Sequence, residues 1–229
     1  MIHYCWFGRA AKSALNQKCI ESWKRVMPQY RLKEWNENIS PMEVKYVQRA
    51  YAKRLWSKVS NYVRLYALYK EGGLYLDTDI EAVRDFDPLM VGDCFLEFQQ
   101  RSEGSDWVNT AVMGSVPGHS FLTRCMDATL EGFNRRRRFD RSPEVVTRVL
   151  RAMGIREYGL QMIGGIKIFP VEYFYPYPYG ETFDPACVKE DTYCIHYWEG
   201  TWVKAEQGKF KIFSPWVRRL KSLKSLLNA

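Results

Sequence analysis

No run of about eighteen uncharged apolar residues occurs in this chain, so no segment reads as a membrane-spanning helix. The opening MIHYCWFGRA has no basic segment leading into an apolar one, as a secretory signal requires, and a cytoplasmic protein is expected. Cysteine is sparse. Cys5, Cys19, Cys94, Cys125, Cys187 and Cys194 include no Cys-x-x-Cys pair, which excludes a zinc ribbon and a thioredoxin-like redox site and leaves reduced, mostly buried thiols. Neither Gly-x-x-x-x-Gly-Lys-Ser/Thr nor Gly-x-Gly-x-x-Gly is present, so a P-loop nucleotidase and a dinucleotide oxidoreductase are unsupported. Internal repeats and low-complexity segments are also missing.

Aromatic residues are plentiful, and 229 residues at 46% hydrophobic content can bury a full core without disulfides. One compact domain, 1–203, is expected, followed by a basic amphipathic tail, 204–229. The formal charge of +8 is local, gathered at Arg135–Arg138 with Arg141 and at Lys204–Lys224. Such patches suit an anionic partner, although a solvated charged face is the plain reading of the arginine cluster. Without zinc-finger spacing or an RNP-type aromatic-basic motif, a nucleic-acid partner is not expected.

Ile2–Phe7 reads as a buried first strand, Ala14–Val26 as a helix stopped by Pro28, and Arg31–Trp35 as a second strand. Strand, helix, strand opens an α/β fold. A helical pattern runs from Pro41 to Lys70 with an expected break near Ser57–Ser60. Gly72-Gly73 then supplies a left-handed stop before a short buried strand, Leu74–Leu76. Further strands are expected at Asp93–Gln99 and Val108–Gly114, and helices at Ser120–Phe133 and from Ser142 to about Met153. Ile163–Tyr179 reads as a strand and an aromatic loop, whose Pro170, Pro176 and Pro178 argue against a central sheet strand.

The chemistry concentrates in SNYVRLYALYKEGGLYLDTDIE, residues Ser60 to Glu81. If the strand stays extended, Asp77 and Asp79 lie about 6.5–7 Å apart on one face, where both can address one cation. An EF-hand starting at Asp77 fails, because Ala82 and Pro88 stand where glycine and glutamate are needed. A hard divalent ion at Asp79, with Asp77 nearby, suits a nucleotide diphosphate, since it neutralises charge growing on a leaving group.

That run, the opening HYCWFG and the late HYWEGTW together resemble the DXD-motif sugar-transfer family. The family includes capsular and lipopolysaccharide glycosyltransferases and yeast initiating mannosyltransferases, and is related to clostridial glucosylating toxins. The resemblance implies a GT-A fold, with a single mixed central sheet flanked by helices. It also implies a UDP- or GDP-sugar donor, Mn²⁺ or Mg²⁺, and transfer with retention. Trp6 matches the position that stacks the donor's base, with Tyr4 and Cys5 offering backbone groups to its edge. Arg64 matches the arginine at the donor sugar and diphosphate, Asp77 the ribose and metal-shell aspartate, and Asp79 the direct metal ligand. Tyr75 falls within the same donor-binding run. Asn109 matches a polar residue of the sugar pocket, and His196 and Trp202 match a lid with a further metal ligand. On residue type alone Trp6 could be core and His196 structural, as His3 and His119 are read.

One position departs from the pattern: Asn61 stands where the family usually has aspartate, three residues before Arg64 and on the same helical face. An amide accepts with one end and donates with the other, whereas a carboxylate accepts from two hydroxyls. The resemblance points to a sugar transferase acting on a glycan or lipid-linked glycan in capsule or lipopolysaccharide synthesis. Asn61 keeps a donor-binding protein without turnover as an alternative, and a toxin-like protein glycosyltransferase shares the same donor site. In the tail, 214–227 places Trp216, Leu220, Leu223 and Leu227 at helical spacing beside basic residues, as either a helix packed on the domain or one lying on an anionic inner membrane face would.

Overall fold

The computed structural model describes residues 1–200, and Met1–Trp198 form one compact unit. The expected boundary at 203/204, Trp202 and the basic tail lie outside the described residues. The chain opens with β1 (Ile2–Cys5), α1 (Ala14–Val26) and β2 (Leu32–Trp35). Helix α1 starts at a capping box in which the Asn16 N–H donates to Ser13 Oγ and the Ser13 N–H donates back to Asn16 Oδ1, both at 3.1 Å.

Helices α2 (Lys45–Ala52) and α3 (Trp56–Glu71) follow. Their break falls at residues 53–55, earlier than the expected Ser57–Ser60, because Arg54 takes a left-handed conformation with φ of 56°. Strand β3 (Gly73–Leu76) begins on a glycine with φ of 96°, where a Cβ would stand 2.5 Å from the Met1 carbonyl oxygen. No larger residue fits there without moving the start of β1.

Then come β4 (Ile80–Ala82), β5 (Cys94–Phe98), β6 (Val108–Ser115), α4 (Ser120–Arg136), α5 (Ser142–Met153), β7 (Gln161–Ile163), β8 (Ile166–Phe169) and β9 (Cys194–His196). Seven strands form one mixed sheet in the order β2-β1-β3-β6-β5-β8-β7, with β1 parallel to β2 and β3, and β6 antiparallel to β3 and β5. This is the expected single mixed sheet flanked by helices. Strand β8 lies between β5 and β7, so the expectation that its prolines keep it from the sheet interior is corrected. Pro170 follows the strand rather than interrupting it, and Gly164-Gly165, both at positive φ, turn the β7–β8 hairpin.

Side chains alternate between two cores, as a pleated strand requires. Cys5, Tyr75 and Leu96 pack on the face covered by α2 to α5, while Tyr4, Leu74, Leu76 and Phe95 pack with Trp23 of α1 and with Phe174 and Tyr175 on the other. A separate two-stranded sheet pairs β4 with β9, setting Ile80 opposite His196. The six cysteines are free thiols, all buried except the partly exposed Cys187.

Candidate active site

The extended geometry expected between Asp77 and Asp79 is replaced by a tight turn. The Ile80 N–H donates to the Asp77 carbonyl at 3.0 Å, and the chain leaves the main sheet for β4. The cause is local: β3 ends at Leu76, and the Asp77 N–H makes a last bond to the Ala111 carbonyl at 2.8 Å. Asp77 therefore stays attached to the main sheet while Asp79 is handed to the small one.

Arg64 holds Asp77 from α3. Its Nη1 and Nη2 donate to the two carboxylate oxygens at 3.2 and 3.0 Å, and Nη1 also donates to the Thr110 carbonyl at 2.7 Å. The guanidinium lies over the Tyr75 ring, 4.6 Å from its centroid, and the Tyr75 hydroxyl donates to Asp77 Oδ1 at 2.9 Å. A planar fork matching a carboxylate on both oxygens fixes its orientation as lysine would not. Burial raises the Asp77 carboxyl above the ordinary aspartate value, Arg64 opposes that rise, Asp79 adds to it and His196 opposes it. Burial also pushes the neighbouring Cys5 thiol up to about 12, keeping it neutral beside Arg64.

Asp79 meets the second cluster. His196 on β9 brings Nε2 to 3.4 Å from Asp79 Oδ2, and the Tyr197 N–H donates to the Asp79 carbonyl at 3.0 Å. The imidazole stacks on Trp198 with centroids 3.9 Å apart and leans on Tyr175 at 5.3 Å. Its Nδ1 is buried without a hydrogen-bond partner among the described residues, so Nε2 is the nitrogen that faces the motif.

A divalent ion fits this donor set. Two ligands at adjacent corners of an octahedron with bonds of about 2.1 Å stand about 3 Å apart, close to the separation of Asp79 and His196. Among the described residues no three His, Cys, Asp or Glu side chains form a complete cage. Ions of the Mg²⁺ type keep waters and take substrate phosphate oxygens instead of a full protein shell.

Asn61 is tied to the start of α5. With its amide turned to satisfy both ends, it donates to the Ser57 carbonyl at 3.0 Å and accepts from the Ser142 N–H at 3.3 Å. Ser142 Oγ in turn bonds Thr110 Oγ1 at 2.7 Å, which links Asn61 to the Arg64 cluster. Asn109 is buried beside it on β6, its Oδ1 accepting from the Thr110 N–H at 2.7 Å.

Trp6 and Tyr4 make their hydrogen bonds and ring contacts with residues outside the Arg64 cluster. Trp6 is partly exposed at the end of β1, donates from Nε1 to the Ala10 carbonyl at 2.7 Å, and carries the Lys12 ammonium 5.2 Å from its ring centroid. Tyr4 is buried, edge-on to Trp23, with its hydroxyl donating to Glu34 at 3.1 Å.

One buried carboxylate escaped sequence reasoning. Glu97 on β5 is fully buried, receives the Tyr175 hydroxyl and the Val112 N–H, and has an Oε2 without a hydrogen-bond partner among the described residues. Burial raises its carboxyl well above the ordinary glutamate value. A glutamate inside the otherwise apolar strand Cys94–Phe98 was the available signal.

Residues 13–96, which contain this turn, match the family model of the glycosyltransferase sugar-binding region containing a DXD motif. That stretch therefore carries the sugar-binding region of the DXD-motif glycosyltransferases. Residues 114–217 match the alpha 1,4-glycosyltransferase conserved region. Among characterised relatives, a human alpha-1,4-N-acetylglucosaminyltransferase is 27% identical over 187 residues, 76% of this chain and 50% of that protein. The inositol phosphoceramide mannosyltransferase 3 of Schizosaccharomyces pombe is 38% identical over 60 residues, 26% of this chain and 16% of that protein. The chain thus spans about half the length of the human relative and less of the yeast one.

Two solved structures share the fold. The PaToxG glycosyltransferase superposes with a TM-score of 0.54 at 16% identity, covering 66% of this chain and 68% of its own. The galactosyltransferase LgtC, solved with donor and acceptor sugar analogues, superposes at 0.51 with 14% identity and 87% coverage of both chains. The chain therefore has the GT-A architecture expected from the resemblance. No helix of the described residues is long and apolar enough to cross a membrane.

Proposed function

We propose that this protein transfers a sugar from a nucleotide-diphosphate donor, a UDP- or GDP-sugar, to a glycan acceptor, using Mn²⁺ or Mg²⁺ and retaining the anomeric configuration. The observation that carries the reading is the pairing of two differently held carboxylates. Asp77 is clamped by Arg64 and Tyr75, while Asp79 faces His196 at 3.4 Å. Chain topology brings these groups from α3, β3, the following turn and β9 to one place.

A bound divalent ion would neutralise the negative charge that develops on the diphosphate as the sugar leaves. Asp79 and His196 would hold that ion, and Asp77 would complete its shell and meet the ribose. Arg64 fixes Asp77 and sets a buried positive charge behind it, which favours an anionic leaving group in a low-dielectric setting. Asn109 would line the sugar pocket with Asn61 near it, and Trp6 with the backbone of Tyr4 and Cys5 would receive the base. Trp202 is assigned to the lid on sequence grounds. The acceptor hydroxyl attacks from the donor's leaving-group side, so no protein nucleophile is required.

The matched alpha 1,4-glycosyltransferase region and the human alpha-1,4-N-acetylglucosaminyltransferase support a glycan-type acceptor, while the yeast inositol phosphoceramide mannosyltransferase supports a lipid-borne one. A surface polysaccharide in capsule or lipopolysaccharide synthesis, met at the inner membrane face through 214–227, is the specific acceptor setting we propose from the sequence. A second reading, donor binding without turnover, is favoured by Asn61 alone, whose amide is spent on Ser57 and Ser142.

A panel of UDP- and GDP-sugars, each with Mn²⁺ and with EDTA, scored for binding and for nucleotide release, tests these readings. Metal-dependent binding with release supports transfer, and metal-dependent binding without release under any acceptor supports the second reading. Metal-independent binding with no preference among donors overturns both.

A further inference from the structure

Apolar packing does not explain why a carboxyl group stands at Glu97. The residue is 0% exposed in a strand whose five residues are all buried, and burying a polar group there is costly unless its bonds repay the lost water. It accepts two bonds, both on Oε1. One comes from the Val112 N–H at 3.3 Å, beside the point where the β5–β6 register shifts between Phe95 and Glu97. The other comes from the Tyr175 hydroxyl, and Tyr175 is a wall of the His196 site.

His196 lacks the usual support of a metal-binding imidazole. Such a ring normally donates its second N–H to a carboxylate, a carbonyl or water, which fixes its orientation. Here Nδ1 has no hydrogen-bond partner among the described residues, and ring packing takes over that task. Trp198 stacks on the imidazole at 3.9 Å, Tyr175 leans on it at 5.3 Å, and the two aromatic rings meet at 5.1 Å. Each of these rings is pinned by a polar bond: Trp198 Nε1 donates to the Tyr177 carbonyl at 3.1 Å, and the Tyr175 hydroxyl donates to Glu97. The Tyr175 N–H is also held, by the Val171 carbonyl at 2.8 Å, so the Glu97 bond restrains what freedom its side chain has left.

We propose that Glu97 is a positioning residue of the transfer site. By holding the Tyr175 hydroxyl it fixes the ring on which His196 packs, and so keeps Nε2 directed at Asp79. The inference rests on the metal role proposed above for His196 and extends that site into the seven-stranded sheet, where β5 lies.

Two readouts on the full chain test it. The chain has three histidines, so the His196 ring can be followed by carbon–proton relaxation of the imidazoles in EDTA, with His3 and His119 as internal controls. Tyr175→Phe and Glu97→Leu should each loosen the His196 ring alone, and Glu97→Gln, which still accepts from Tyr175, should leave it as in the parent. Tyr175→Phe removes the same bond while Glu97 stays on the Val112 N–H, and it carries the test where Glu97→Leu does not fold. The second readout is calorimetry with UDP and GDP, with Mn²⁺ and with EDTA. Tyr175→Phe should weaken Mn²⁺-dependent binding by about threefold or more and have no further effect in a His196→Ala background. A residue that only supports the fold would lower the melting temperature and move neither readout. The proposal is overturned if the His196 ring is unchanged in Tyr175→Phe, if Glu97→Gln loosens it equally, or if the Mn²⁺-dependent loss persists without His196. A parent that binds neither nucleotide in a metal-dependent way sinks the transfer reading instead, and the ring relaxation in EDTA then decides the positioning role by itself.

Discussion

His196 Nε2 stands 3.4 Å from Asp79 Oδ2 although the two residues are far apart in the sequence. The β4–β9 pairing, Ile80 opposite His196, is what joins them. Asp79 is thereby separated in role from Asp77, whose carboxylate is already committed to Arg64 and Tyr75.

His196→Ala should weaken Mn²⁺-dependent binding of a nucleoside diphosphate by about tenfold or more, and Asp79→Ala should remove the metal dependence altogether. Calorimetry with and without EDTA checks both. Equal affinity in His196→Ala and the parent would remove the imidazole from the metal site.

Arg64→Ala should cost about 3 kcal/mol of stability, the low end for breaking a buried ion pair, because Asp77 keeps some solvent contact. Arg64→Lys should recover little of it, since an ammonium cannot bond both carboxylate oxygens in the plane of a fork. Urea denaturation midpoints measure the difference, and a near-parental midpoint for Arg64→Lys would show that charge alone suffices.

The Glu97 carboxyl is raised by burial, so the folded protein holds its proton more tightly than the unfolded chain. That contribution to stability is fully present below the unfolded value and is lost as pH rises toward the folded one. Glu97→Gln, which still accepts from Tyr175, should therefore melt higher than the parent near pH 8. The gap should close toward pH 4, and a gap independent of pH would show that Glu97 does not titrate on unfolding.

Asn61→Asp should raise nucleotide release from a donor sugar. One carboxylate oxygen keeps the Ser142 N–H, and the other, repelled by the Ser57 carbonyl, turns toward sugar hydroxyls. Release rates across UDP- and GDP-sugars check it, and an unchanged or lower rate throughout would assign the amide a purely structural role.

Much of the sheet was legible because its elements carry strong local signals. Pro28 stops α1, and Gly72-Gly73 mark the end of α3 and the start of β3. The break between α2 and α3 was misplaced because Arg54 adopts a left-handed backbone that its residue type does not advertise. The Asp77–Asp79 turn was read as extended because alternation is a local rule, while the turn is imposed by where β3 runs out of partners. Strands β4 and β9, of three residues each, carry no periodicity, and their pairing spans most of the chain. His196 and Trp202 could thus be named only by resemblance, and Tyr175 beneath Glu97 not at all.

Among the described residues strand β9 ladders only with β4, through three residue pairs, and takes no part in the seven-stranded sheet. Detaching it would uncover the buried Cys194, Ile195 and His196 but leave the main sheet whole, so local opening should need less free energy than global unfolding. Amide exchange at Cys194–His196 should then run faster than at Leu74–Leu76, although both flank the same pair of aspartates. One wall of the site would be a latch that can release a product while the other stays fixed to the core.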